Sequence, residues 1–205
     1  MNLRLIHKNI FLLLLVVLTI TVFYLSPTLK CGFFSDDCLN SLVSGVLTYN
    51  NTDVFTHTYQ IVIYWIFNTG RIFPLAFYLY FLFSIIHDLF IYHLLILIAI
   101  MIDVLLFGYF IKRMTKSAYV SLLSMLIVSA LFQVRVYHDP ILSFSMLLQI
   151  VFFYLIVSLI TFTYYLEHGK KIYLIVSSFF CVFGMLTYEI NYIFCLLYTS
   201  DAADE

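Results

Sequence analysis

From residue 89 to residue 111 the chain offers one carboxylate, Asp103, and no lysine or arginine. At ~1.5 Å per residue, such a helical run is long enough to cross ~30 Å of hydrocarbon. Comparable apolar runs cover residues 10–25, 118–134, 141–165 and 172–194. Only 10% of residues are charged, where a soluble domain carries roughly 25%. So few charges cannot clothe a water-soluble surface. The sequence therefore predicts an all-α, polytopic transmembrane helical bundle. About five spans are expected, at residues 10–26, 88–111, 118–134, 141–165 and 172–194. There is no basic stripe and no Gly-rich phosphate loop, so nothing points to nucleic acid.

The last eleven residues need separate treatment. Residues 195–205, Cys-Leu-Leu-Tyr-Thr-Ser-Asp-Ala-Ala-Asp-Glu, match a translated sequencing adapter in order. They are read here as a non-native tail, with the membrane domain taken as residues 1–194 of a longer protein. Without Asp201, Asp204 and Glu205 the formal charge moves from −1 to +2.

Charge placement orients the bundle. Arg4, His7 and Lys8 precede the first run, and Pro27 stands where its helix should stop. No small-residue cleavage site follows, so the run reads as an uncleaved span with a cytoplasmic N-terminus. Arg4, Lys8, Lys112, Arg113, Lys116, Lys170 and Lys171 then fall on the cytoplasmic side, and Lys30, Arg71 and Arg135 outside. Seven against three satisfies the positive-inside rule.

Residues 28–86 form one outer loop, polar at Asp36-Asp37 and at Asn50-Asn51-Thr52-Asp53. Its aromatic stretches, 59–67 and 72–86, are short and broken by Gly70, Arg71 and Pro74. They fit helices lying in the membrane interface. A full span through 72–86 is the alternative, but it would carry Lys112, Arg113 and Lys116 outside.

The candidate chemistry gathers on this outer side. Asp36 and Asp37 are adjacent carboxylates, which repel unless a cation, a proton or solvent relieves them. One can act as a general base while the other orients it, or both can bind a divalent metal. A solvated pair in a loop is the plain alternative. Arg71, in an apolar run, either forks onto a lipid phosphate or snorkels to the head groups. His138 and Asp139 stand in the tight outer loop before Pro140, where they either position a substrate or shape a turn. Glu189 falls near the outer end of the last run, either as a site residue or as a hydrogen-bond partner of another helix. Tyr188 beside it offers an interfacial anchor or a sugar-stacking face. His57, His87, Asp88 and His93 lie on the same side. Asp103 sits deeper and is expected to be a buried partner within the bundle. Cys31 and Cys38 flank the acidic pair and either form a disulfide or stay free. Cys181 is expected to pack within its span.

The acidic pair just after the first span, in a long outer loop, resembles glycosyltransferases of the C-type membrane fold. Gly70-Arg71-x-x-Pro74-Leu75 and Tyr188-Glu189 are similar to stretches of bacterial polysaccharide and O-antigen glucosyltransferase-like membrane proteins. The resemblance implies an integral protein of the bacterial cytoplasmic membrane. It would move a sugar from a polyprenyl-phosphate donor to a cell-envelope glycan or lipid acceptor. Asp36 or Asp37 would be the base or a metal ligand, and Arg71 would steady the donor phosphate. His138, Asp139, Tyr188 and Glu189 would line the substrate cavity. The usual fold has more spans than are found here. A lipid-linked glycan transporter keeps its charges near the midplane, whereas here only Asp103 is deep. A non-catalytic assembly subunit is the third reading.

Overall fold

The computed structural model describes residues 3–132, 139, 141–144 and 146–192, and all of its regular elements are helices. They are α1 (Leu3–Leu25), α2 (Asp36–Asn40), α3 (Val43–Asn50), α4 (Val54–Thr69), α5 (Tyr78–Ile85), α6 (Leu89–Thr115), α7 (Ala118–Leu131), α8 (Leu147–His168) and α9 (Lys171–Thr187). Among the described residues, three helical segments are long and apolar enough to cross a membrane: Ile10–Lys30, Leu89–Thr115 and Leu147–His168. Large side chains such as Phe11, Leu12 and Phe23 on α1, and Ile98 and Ile102 on α6, face outward. Water would penalise such a surface, whereas lipid accepts it. The protein is thus an all-helical protein with the segments of an integral membrane protein.

In the other two expected spans the described helices are short, and residues 133–134 and 193–194 lie outside the described residues. α7 has 14 residues and α9 has 17, or roughly 21 and 26 Å of helix. α7 stops because Phe132 turns extended (φ −61°, ψ 122°), and α9 stops because Tyr188 does (φ −158°, ψ 143°). The apolar stretch 72–86 is broken into short pieces. Gly70 takes a left-handed φ of 70°, residues 70–73 leave the helix, and a 3-10 turn at Pro74–Phe77 leads into the eight-residue α5.

Helix starts follow local chemistry. Asp88 caps α6 by accepting the Ile91 N–H at 2.8 Å, and Asp53 caps α4 through the N–H groups of Phe55 and Thr56. Each leaves one fewer orphan donor at a helix start. Pro27 lies in the 3-10 turn that follows α1, as its missing N–H requires.

Small polar residues join the long helices. Thr21 donates to Ser129 at 2.7 Å, Ser121 donates to the Gly108 carbonyl at 2.6 Å, and Ser158 donates to the Ser177 carbonyl at 3.0 Å. Such pairs let helices approach closely where hydrocarbon offers no driving force. They also fix the order of the bundle. The end of α1 meets the end of α7, the start of α7 meets the end of α6, and α8 runs antiparallel to α9. Arg113 of α6 bonds Thr163 and Glu167 of α8, so α6 and α8 run parallel. One end of the bundle therefore collects Lys112, Arg113, Lys116, Lys170 and Lys171. The opposite end holds Leu25, Asp88, Asp139 and Glu189.

The segment 28–86 packs onto that opposite end. Phe33, Phe83, Tyr92 and His93 form one aromatic cluster, with Phe33–Tyr92 and Phe83–Tyr92 centroids 5.3 and 5.1 Å apart. Phe83 and Tyr92 are buried. The loop thus shares the hydrophobic core of α1, α6 and α7.

Candidate functional site

The acidic pair is split by its local fold. Residues 34–37 form a tight turn closed by the Asp37 N–H to the Phe34 carbonyl at 3.0 Å. Ser35 occupies its second position at φ 50°, ψ −120°, the type II′ geometry that favours glycine. The α2 helix starts at once, so Asp36 and Asp37 point about 100° apart around its axis. Asp36 is exposed to solvent, with Ser35 Oγ at a weak 3.5 Å. Asp37 has 0% exposure, and the Tyr92 hydroxyl donates to its Oδ2. Burial and then the Asp37 charge hold the Tyr78 hydroxyl well above its usual range. Two side chains facing apart cannot chelate one ion by themselves. Among the described residues, no group of three or more His, Cys, Asp or Glu gathers as a metal site. Cys31 and Cys38 are free thiols.

Arg71 and Glu189 meet in a fork. Nε reaches Oε1 at 2.8 Å and Nη2 reaches Oε2 at 3.0 Å. The helix breaks at Gly70 and at Tyr188 are what bring the two together, since both residues lie just beyond helix ends. Phe73 stands under the guanidinium at 4.7 Å and Trp65 at 5.8 Å, within cation–π reach. The hydrogen bond to Glu189 raises Arg71, and that to Arg71 holds the Glu189 carboxyl below its ordinary value. The pair stays 40% and 39% exposed. Tyr188 lies close enough to Arg71 to raise it as well.

A close helix contact supports this end of α9. A Cβ on Gly184 would sit 2.1 Å from Asn191 Nδ2 and 3.3 Å from the Cβ of Tyr154. Tyr154 also raises Tyr78 electrostatically. Tyr78 thus feels both Asp37 and α8.

Asp139 is committed to its own turn. It is buried, its Oδ1 accepts the N–H groups of Ile141 and Leu142 at 2.8 Å, and its N–H donates to Ser143 Oγ. Oδ1 of Asp139 thus shapes the turn that follows it. His138, and residues 195–205, lie outside the described residues. His93 is buried with Nδ1 against the Leu89 carbonyl at 3.0 Å, and Asp88 is spent as a cap. Residue types alone gave no sign of Tyr92, Tyr78 or Gly184, because their partners come from distant segments.

Comparison with protein-family models, curated proteins and solved structures gives no match for this chain.

Proposed function

We propose that the chain is a membrane glycosyltransferase, or a membrane part of one, acting at the bundle end that carries Asp36, Arg71 and Glu189. Its donor is a polyprenyl-phosphate sugar, and its acceptor is a cell-envelope glycan or lipid on the non-cytoplasmic face. In this reading α7 and α9 complete five crossings and the N-terminus is cytoplasmic. The helices of residues 36–85 then lie at the interface.

The observation that carries the proposal is the Arg71–Glu189 fork over aromatic rings. A carboxylate fork presents the same two-donor geometry that a phosphate needs. The half-exposed guanidinium is open to exchange Glu189 for a donor phosphate. Asp36, the solvent-facing member of the acidic pair, takes the proton of the acceptor hydroxyl. The freed oxygen attacks the anomeric carbon, the bond from that carbon to the phosphate oxygen breaks, and polyprenyl phosphate leaves with its new charge facing Arg71. Asp37 acts as a positioning residue by pinning the turn through Tyr92.

The test is sugar transfer in proteoliposomes from a radiolabelled polyprenyl-phosphate hexose. Asp36→Asn is expected to lower kcat by about 100-fold or more, the scale of a lost general base. Arg71→Gln is expected to raise KM for the donor. Full transfer by both variants would refute the assignment. A transporter reading draws on a separate observation, the deep Asp103, and predicts translocation of the lipid-linked sugar without any transfer.

A further inference from the structure

Between α6, α7 and α8 lies a cavity of about 200 Å³. Ile100, Asp103, Val104 and Phe107 of α6 line one side, and Gln149 and Phe152 of α8 face them. Asp103 is 7% exposed and lies roughly 21 Å along α6 from Leu89, near the middle of that helix. Among the described residues it forms no hydrogen bond or ion pair, and it is the only titratable group lining the cavity.

A lone carboxyl in an apolar wall is costly as a bare anion; it keeps a proton or takes a cation. The lining narrows which cation. An alkali or alkaline-earth ion wants about six oxygen donors, and the side chains here supply only Asp103 and Gln149. The remaining wall is aliphatic and aromatic. Phe107 and Phe152 stand 6.3 Å apart between centroids, and their faces attract organic cations. Charge at one point and hydrocarbon elsewhere describe an amine with an apolar body.

We propose that this cavity binds a small lipophilic amine, held as its ammonium ion against Asp103. The amine arrives as the free base, the form that dissolves in hydrocarbon. Its nitrogen lone pair takes the Asp103 carboxyl proton, which leaves an ammonium–carboxylate pair with no net change in charge. Phe107 and Phe152 contact its body.

The experiment measures binding of radiolabelled benzylamine to the purified full chain in nanodiscs, with benzyl alcohol as the neutral competitor. Saturable binding is expected, and benzyl alcohol at the same concentration should displace little of it. A carbodiimide, which couples to protonated carboxyls in apolar sites, should label Asp103. That labelling should slow about tenfold when N,N-dimethylbenzylamine, a tertiary amine that cannot form an amide with the activated carboxyl, is at about ten times its Kd, since only the empty fraction reacts. Asp103→Asn should abolish binding by removing the charge, and Val128→Phe, on the α7 side of the cavity lining, should abolish it by filling the space. No saturable binding to the wild-type chain would overturn the proposal. Equal displacement by the alcohol would overturn it too, because the cavity would then be a plain apolar void. Binding retained in either folded variant would move the ligand elsewhere. The wild-type competition decides the matter even if neither variant folds.

Discussion

Replacing Glu189 with Gln tests whether the fork to Arg71 is a real energetic link between the loop and α9. At 2.8 Å and an effective dielectric near 20, the bare attraction is about 6 kcal/mol. Solvent removes most of that, because the side chains are 40% and 39% exposed. Exposed pairs are worth about 0.2–1 kcal/mol net, and a two-bond fork belongs at the upper end of that range. The expected coupling is therefore about 1 kcal/mol. A double-mutant cycle with Glu189→Gln, Arg71→Gln and the double variant, read by thermal unfolding in nanodiscs, isolates it. The pH dependence has a definite sign. The folded Glu189 carboxyl lies below its ordinary 4.5, so near that pH the unfolded chain binds more protons than the folded one. The stabilisation is complete above about 4.5 and is lost as pH falls through the lower, folded value. High salt should weaken the coupling as well, because the Debye length falls to ~3 Å at 1 M. Zero coupling at neutral pH and low salt, or coupling that grows as pH falls below 4, would refute the fork.

Other substitutions probe the same end of the bundle. Ser35→Gly should stabilise the chain by about 1 kcal/mol in chemical denaturation, because φ 50° strains a residue with a Cβ; a loss of stability would contradict the turn geometry. Tyr92→Phe should cost about 1–3 kcal/mol by removing a donor from the buried Asp37, and should lower transfer through the displaced turn, whereas exposed Tyr59→Phe should change neither. Gly184→Ala should cost about 1–3 kcal/mol, since its Cβ would overlap Asn191 and press on Tyr154. A Gly184→Ala protein as stable as the wild type would show that α8 and α9 are not packed so closely there.

Some of this structure was legible in the sequence and some was not, for identifiable reasons. The stop after Leu25 followed from Pro27. The gathering of Lys112, Arg113, Lys116, Lys170 and Lys171 at one end followed from their place in the short connections between apolar runs. Both are local properties of chain chemistry. The lengths of α7 and α9 were not legible, because apolar runs report what a segment can be buried in, and Phe132 and Tyr188 leave the helix without becoming polar. The split between Asp36 and Asp37 was not legible either. It depends on Tyr92, which lies 55 residues away. The pairing of Arg71 with Glu189 spans 118 residues, beyond the reach of any local pattern.

Those distant pairings also change how many of the outer polar groups remain open for chemistry. Residue type alone made Asp36, Asp37, Asp88, Asp139 and Glu189 comparable candidates. The fold spends Asp88 on a helix cap and Asp139 on a turn, and it buries Asp37 beneath Tyr92. A carboxylate that accepts two backbone N–H groups cannot give them up without orphaning those donors, at about 1–3 kcal/mol for each buried group. Asp36 has no such commitment. Glu189 holds only a solvent-screened partner, at about 1 kcal/mol or less, so on the proposed reading the singly charged donor phosphodiester can take its place. On the proposed reading the chemistry of this end therefore falls to Asp36 and to the exchangeable Arg71, while Asp88 and Asp139 shape their own local backbone.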